Sequence, residues 1–333
     1  MNGILALVIE TWFTPGGRVL TKSSPDPAVR EFHAGLPGYA PTPLHDLPAL
    51  ADELGVRRVL VKDESSRLGL PAFKVLGASW AIDRILREIS VEKLVTASDG
   101  NHGRAVAHVA RTLAIPAHIF VPSGVHPLAV AAIEDEGAQV TLVNGTYDDA
   151  VRAASQAGGT LVQDMAWPGY ERIPQWIVDG YTTLCVEIEE QLGGEPDLVI
   201  TPAGVGSLAQ AVAGYFPSKT VTVEPTTAAC VLASLRADRP VTTETDTTVM
   251  AGLNCGTLSS LAWAYLRNGL HAATAVTDAH SLRAAKDLAA LGVPAGPCGA
   301  AALAAARGLT LPHDATVVLL STEGAGANPW ELP

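Results

Sequence analysis

Apolar positions along the chain fall into two alternating kinds of segment. Short, unbroken, β-branched runs stand at residues 59–62, 94–97, 118–121, 140–143, 161–163, 198–201, 220–223 and 316–320. Longer alanine-rich stretches with helical spacing lie between them, among them 72–88, 103–113, 147–156 and 205–215. A parallel strand covered by helices on both faces needs no polar side, so it reads as a continuous apolar run. The alternation predicts an α/β fold with largely parallel sheets flanked by helices. About the first 45 residues are rich in proline and glycine and weakly periodic, which predicts an irregular arm over the core. No linker-like stretch divides the remainder, which points to interleaved rather than sequential domains. Neither a repeat period nor a low-complexity tract is present.

Composition narrows the picture. The 333 residues suffice for about two domains with a sizeable core. Hydrophobic residues at 48% and charged residues at 17% exclude a disordered chain. The 34 acidic residues outweigh 22 lysines and arginines, for a net charge of −12. Such a surface repels nucleic-acid phosphates and anionic lipid heads, so neither is an expected partner. Cys185, Cys230, Cys255 and Cys298 form no CxxC pair and no metal-ligand spacing. A reducing, cytoplasmic setting without a bound metal is therefore expected. The apolar run 3–9 has no basic flank and meets Glu10 at once, so no signal peptide is expected. No run approaches the roughly 18 apolar residues of a transmembrane helix.

Four stretches could carry chemistry. Lysine is scarce, and Lys74 sits in Pro-Ala-Phe-Lys-Val-Leu-Gly (71–77) among apolar neighbours. Burial there would lower its pKa and free a nucleophilic amine for Schiff-base chemistry. Alternatively, Lys74 snorkels from a helix face. The second stretch, Thr-Ala-Ser-Asp-Gly-Asn-His-Gly (96–103), follows a predicted strand and opens a helix. Ligands gather at such strand ends. Asp99 is a candidate acid/base there and Asn101 a candidate donor; either could instead cap the helix. A calcium loop would need a glutamate near the twelfth position from Asp99, where Ala110 stands. A zinc site on His102 and His108 is disfavoured because residues six apart do not share a helix face.

The third stretch (197–209) runs from strand to glycine turn to helix. Gly204 and Gly206 allow close backbone approach and a phosphate cradle. It also reads as G-x-G-x-x-A, and Glu224 follows Gly204 by 20 residues, where a ribose-binding acid would stand. On this stretch alone a dinucleotide site ranks first; a plain tight turn is the other reading. In the fourth (316–324) a strand ends in Ser321 and Thr322, either of which could meet a ring nitrogen or form an ordinary hydroxyl turn.

In this order, lysine, asparagine loop, glycine loop and terminal serine, the chain resembles the fold type II pyridoxal-phosphate enzymes. These include threonine synthase, serine/threonine dehydratase and tryptophan synthase β, and the nearest likeness is to the diaminopropionate ammonia-lyases. The matching stretches are 36–44, 61–65 with 72–77, 99–103, 162–167, 204–206, 251–253 and 321–324. They span nearly the whole chain. Phe-Lys-Val-Leu-Gly with Asp-Gly-Asn-His-Gly is the specific pair; the glycine loop by itself is not specific.

The resemblance implies a large domain from 1–79 and 164–333, a small inserted domain at 80–163, and an active site in the cleft. It implies pyridoxal 5′-phosphate held by Lys74, with its phosphate on Gly204, Val205, Gly206, Ser207 and Leu208. Asn101 would face the ring hydroxyl and Ser321 the ring nitrogen. Lys74 would take the Cα proton of an L-amino acid, Asp99 that of a D-amino acid, and Asp164 would contact the leaving amine. The implied activity is a carbon–nitrogen lyase acting on a small β-substituted amino acid such as 2,3-diaminopropionate to give pyruvate, in a homodimer. Three alternatives stand beside it: a β-replacement synthase or related lyase of the same fold, a nicotinamide oxidoreductase built on Gly204 and Glu224, and a non-enzymatic relative. The chain is shorter than typical members. It also has Gly-Pro-Cys-Gly at 296–299, including Cys298, where the family tends to Gly-Glu-Ser-Gly, and an unusual tail at 325–328.

Overall fold

All eight predicted runs overlap strands, 161–163 only at Leu161 of a two-residue strand. The computed structural model describes residues 9–327. Residues 3–8 of the N-terminal apolar run, and Asn328 of the tail, lie outside them. The strands are β1 (Glu10–Phe13), β2 (Leu44–Asp46), β3 (Arg58–Asp63), β4 (Leu94–Ala97), β5 (Ala117–Pro122), β6 (Gln139–Val143), β7 (Thr160–Leu161), β8 (Leu198–Pro202), β9 (Thr220–Pro225), β10 (Leu270–Val276) and β11 (Thr316–Ser321). The helices are α1 (Pro27–Ala34), α2 (Pro48–Leu54), α3 (Val75–Leu86), α4 (Asn101–Thr112), α5 (Pro127–Glu134), α6 (Tyr147–Gln156), α7 (Arg172–Leu192), α8 (Ser207–Tyr215), α9 (Cys230–Ala237), α10 (Ala262–Gly269), α11 (Asp278–Ala290) and α12 (Pro297–Ala306). None of them is long and apolar enough to cross a membrane.

Two sheets result. The larger has the order β1-β10-β9-β8-β11-β3-β2, parallel except for its two edge strands. The smaller is β6-β5-β4-β7, parallel throughout. Side chains alternate across β11: Val318 and Leu320 join the core under α3, α7 and α8, while Val317 and Leu319 join the core under α11 and α12. Burial on both faces is what removes polar residues from such a strand. Helix α12 is buried all round, and its alanines let it lie close on the sheet. The core on the α3 side continues through Leu76 and Ile82 to Leu94 and Ile119 of the small sheet, so one apolar body joins the two sheets.

The expected irregular arm is corrected in part. Its β1 pairs antiparallel with β10, and α1 places His33 against α3 and α7, with ring nitrogens on the Leu76 carbonyl (2.9 Å) and Thr183 Oγ1 (2.7 Å). The segment from β3 to α3 is fixed by a buried ion network. Lys62 Nζ and Arg67 Nη1 each lie 2.7 Å from Glu187 of α7, and Arg67 Nη2 lies 2.7 Å from Glu64. Buried charges persist only when paired and hydrogen-bonded, as these are. Where α3 crosses α7, a Cβ on Gly180 would come within 2.5 Å of the Leu76 carbonyl oxygen. Network and crossing together set the start of α3, and Lys74 immediately precedes it.

Candidate active site

The carboxyl ends of β4, β8 and β11 face one open cavity. Lys74, Asp99, Asn101, Asp164 and residues 204–208 all line it, with Thr322 and Glu323 at the end of β11. Ser321 lies just behind that wall, buried, its Oγ without a hydrogen-bond partner among the described residues. An ordinary hydroxyl turn would have supplied such a partner, so that alternative for Ser321 falls away.

Lys74 does not snorkel. Its Nζ is 2.5 Å from Asp164 Oδ2. The expected fall in its pKa is corrected: burial pulls it down, but Asp164, with Tyr181 and Cys255 adding to it, raises it above the usual lysine value. Asp164 is pushed up by burial and pulled further down by Lys74, and ends well below the usual carboxylate range. The pair is thus an ammonium on a carboxylate. His102 is buried beside it, with Nδ1 3.9 Å from Asp164 Oδ2. Its Nε2 donates to the Val162 carbonyl at 2.8 Å, and burial lowers the ring's pKa. His108 bonds Glu136 instead, at 3.0 Å, so the two histidines do not converge on a metal.

The capping alternative for Asp99 and Asn101 is also corrected. Ser98 Oγ accepts from the backbone N–H of Gly100 (2.9 Å) and of Gly103 (2.8 Å), which satisfies the turn entering α4. Asp99 is left half-buried on the cavity wall, its pKa pushed up to about 8 by burial and by the Asp164 charge. Asn101 Nδ2 donates to Glu323 Oε2 at 2.5 Å.

Between β8 and α8 the chain bends at Gly206, φ +94°, and no side chain caps the helix among the described residues. The first N–H groups of α8 therefore remain for an anion. A Cβ on Gly204 would approach the Gly252 carbonyl to 3.0 Å and Cys255 Sγ to 3.1 Å; one on Gly206 would meet Leu258 at 2.7 Å. The Ser207 hydroxyl donates to the Asp164 carbonyl, tying this cradle to the Lys74 partner. An anion cradle, an amine and an unpartnered hydroxyl around one cavity fit the phosphate, carbonyl carbon and ring nitrogen of pyridoxal phosphate. Gly206→Asp would put a carboxylate into the cradle. Its expected effect is a loss of cofactor affinity of about tenfold or more, roughly 1.4 kcal/mol, read by titrating cofactor absorbance.

Glu224 fits no dinucleotide. It is buried at the end of β9 and accepts from the N–H groups of Val231 and Leu232, each at 2.8 Å. It is the N-terminal anchor of α9, and no ribose could reach it without breaking those bonds.

Several further residues line the cavity or reach it. Tyr147, at the start of α6, places its hydroxyl 3.3 Å from Asp164 Oδ1. Cys255, Cys298 and Glu323 also line the wall, and the Cys298 N–H donates to Glu323 Oε1 at 3.2 Å. Glu323 stands in the matching stretch 321–324 and Cys298 in the departing stretch 296–299; Tyr147 and Cys255 are singled out only by their contacts across the fold.

The comparisons with known proteins agree with this chemistry. The family described as "Pyridoxal-phosphate dependent enzyme" matches residues 36–323. Diaminopropionate ammonia-lyase of Escherichia coli K12 is 38% identical over 349 aligned positions, covering 89% of this chain and 87% of that one. The enzyme of the same description from Salmonella typhimurium LT2 is 40% identical, covering 72% and 69%. The crystal structure of the Escherichia coli enzyme in complex with an aminoacrylate-PLP azomethine reaction intermediate superposes with a TM-score of 0.88 at 34% identity, covering 96% of this chain and 94% of that one. The chain belongs to the pyridoxal-phosphate-dependent enzymes, with the fold type II architecture.

Proposed function

We propose that this protein is a pyridoxal-phosphate-dependent carbon–nitrogen lyase that eliminates ammonia from a small amino acid carrying a second amine on Cβ, with 2,3-diaminopropionate the leading substrate. The observation that carries the reading is the Lys74–Asp164 pair. A carboxylate held ionised at the cavity already binds one ammonium at 2.5 Å. A cationic β-substituent is the partner such a group would accept once Lys74 is otherwise engaged.

When bound, the cofactor supplies an electron sink that stabilises negative charge developing at the substrate Cα. The chain supplies the rest. The amine of Lys74 holds the cofactor, the cradle from Gly204 to Leu208 binds its phosphate, and Ser321 and Asn101 orient its ring. Lys74 receives the Cα proton of an L-substrate, and Asp99 that of a D-substrate. Asp164 holds the β-amine as the Cβ–N bond breaks and its electron pair leaves with nitrogen. Overall, 2,3-diaminopropionate and water give pyruvate and two molecules of ammonia. The same reading takes residues 1–79 with 164–333 as the large domain, 80–163 as the small one, and the enzyme as a cytoplasmic homodimer.

Incubation of the loaded enzyme with 2,3-diaminopropionate should release pyruvate and ammonia in a ratio of one to two. Absence of pyruvate overturns the lyase reading. One feature favours testing a second outcome: buried Cys298 lines the cavity where the family pattern departs. If an added nucleophile is incorporated at Cβ while pyruvate falls, the reaction is β-replacement.

A further inference from the structure

The side chain next to Asp164, Gln163, is fully buried and does not line the cavity. Its carbamoyl group has all its hydrogen-bonding positions arranged. Oε1 accepts from the Ala97 N–H at 2.9 Å and from Thr96 Oγ1 at 3.0 Å. A backbone N–H can only donate, so the oxygen must face β4 and the amine must face the other way. There Nε2 donates to the Tyr147 hydroxyl at 2.7 Å and to Asp164 Oδ1 at 3.3 Å. The Tyr147 hydroxyl, accepting from Gln163, directs its own proton to Asp164 Oδ1. Oδ1 is therefore met by two donors on the side away from Lys74, and Oδ2 is turned to the amine side.

We infer that Gln163 is a positioning residue that makes the site select a β-ammonium over a β-hydroxyl, by locking Asp164 as an acceptor through a direct bond and through Tyr147. The inference rests on the lyase reading above. A locked acceptor rewards a cation, whereas a hydroxyl group gains less from it. Anchorage to β4 adds a second effect. Ala97 is two residues before Asp99, so the same side chain ties the Asp164 wall to the strand end that carries Asp99.

Gln163→Met keeps the volume and removes the donor toward Asp164 and Tyr147 together with the acceptor toward β4. The loaded variant is compared with the parent by KM and kcat for 2,3-diaminopropionate and by the inhibition constant of serine, which carries a hydroxyl at the same carbon. The expected result is a rise of about tenfold or more in KM for 2,3-diaminopropionate, with a change under about threefold for serine. A parallel rise for both ligands means a merely structural role and overturns the inference; so does no change for either. Gln163→Leu, also neutral and without a donor, carries the same comparison should the methionine variant not fold, with the same two overturning results. If the parent enzyme releases no pyruvate from 2,3-diaminopropionate, the lyase reading fails instead.

Discussion

Replacing Lys74 with arginine should abolish pyruvate formation and the visible absorbance that the protein gains on binding pyridoxal phosphate. Arginine keeps the positive charge and can still pair with Asp164, so the fold around α3 should survive. Its guanidinium is always protonated and offers no nucleophilic amine. The loss expected is roughly a thousandfold or more, the scale of removing a nucleophile or a general base outright. Borohydride reduction of the loaded parent, followed by peptide mapping, should leave the cofactor on Lys74. Label on another lysine would overturn the assignment. The ion pair adds a refinement. Asp164 holds the Lys74 amine protonated at 2.5 Å, above its usual pKa. Asp164→Asn removes the charge that stabilises the ammonium and should shift cofactor capture to lower pH.

How much of this was legible in the sequence differs between fold and site. Strands such as β8 and β11 were legible because burial on both faces strips them of polar residues. The strands β1 and β2 were not: they are edge strands of four and three residues, and they carry Glu10, His45 and Asp46 where a face meets solvent. The alanine-rich β10 (Leu-His-Ala-Ala-Thr-Ala-Val) has a helix former's composition and becomes a strand because β1 and β9 pair with it. In the site, Lys74, Asp99, Asn101 and the glycine loop stand at strand ends and helix starts, so local pattern marks them. The direction of the Lys74 pKa is not legible in the local stretch because its partner lies 90 residues away. The capping role went to Ser98 rather than Asp99 through backbone contacts that no spacing rule encodes. Gln163 and Tyr147 reach Asp164 through bonds that depend on how the small sheet and α6 pack, and spacing along the chain does not encode those.

Asp99→Asn should separate the two substrate isomers. A Cα–H bond breaks fastest when it stands perpendicular to the cofactor ring, so L and D isomers bound alike present their protons to opposite faces. On the proposed reading Lys74 serves one face, and a second base is needed for the other. Asp99 is the candidate because it shares the cavity with Lys74 and Asp164 and is free of the capping bonds that Ser98 makes. Its pKa, pushed up to about 8 by burial and the Asp164 charge, makes it a stronger base than an exposed carboxylate, whose pKa is near 4. The sign follows directly. Asp99 accepts a proton only when ionised, so kcat/KM for the D isomer should climb as pH rises through about 8. Asparagine cannot take a proton. The variant should keep cofactor absorbance and L-isomer turnover, and lose D-isomer turnover by roughly a hundredfold or more, the usual scale of a general base. Its Tm at neutral pH should match or exceed the parent's, since the folded parent must hold Asp99 largely protonated well above the ordinary carboxylate pKa near 4, a cost asparagine does not carry. Equal losses for both isomers, or a D-isomer rate that stays high, would remove Asp99 from the stereochemical role and leave the second face to another group on the cavity wall.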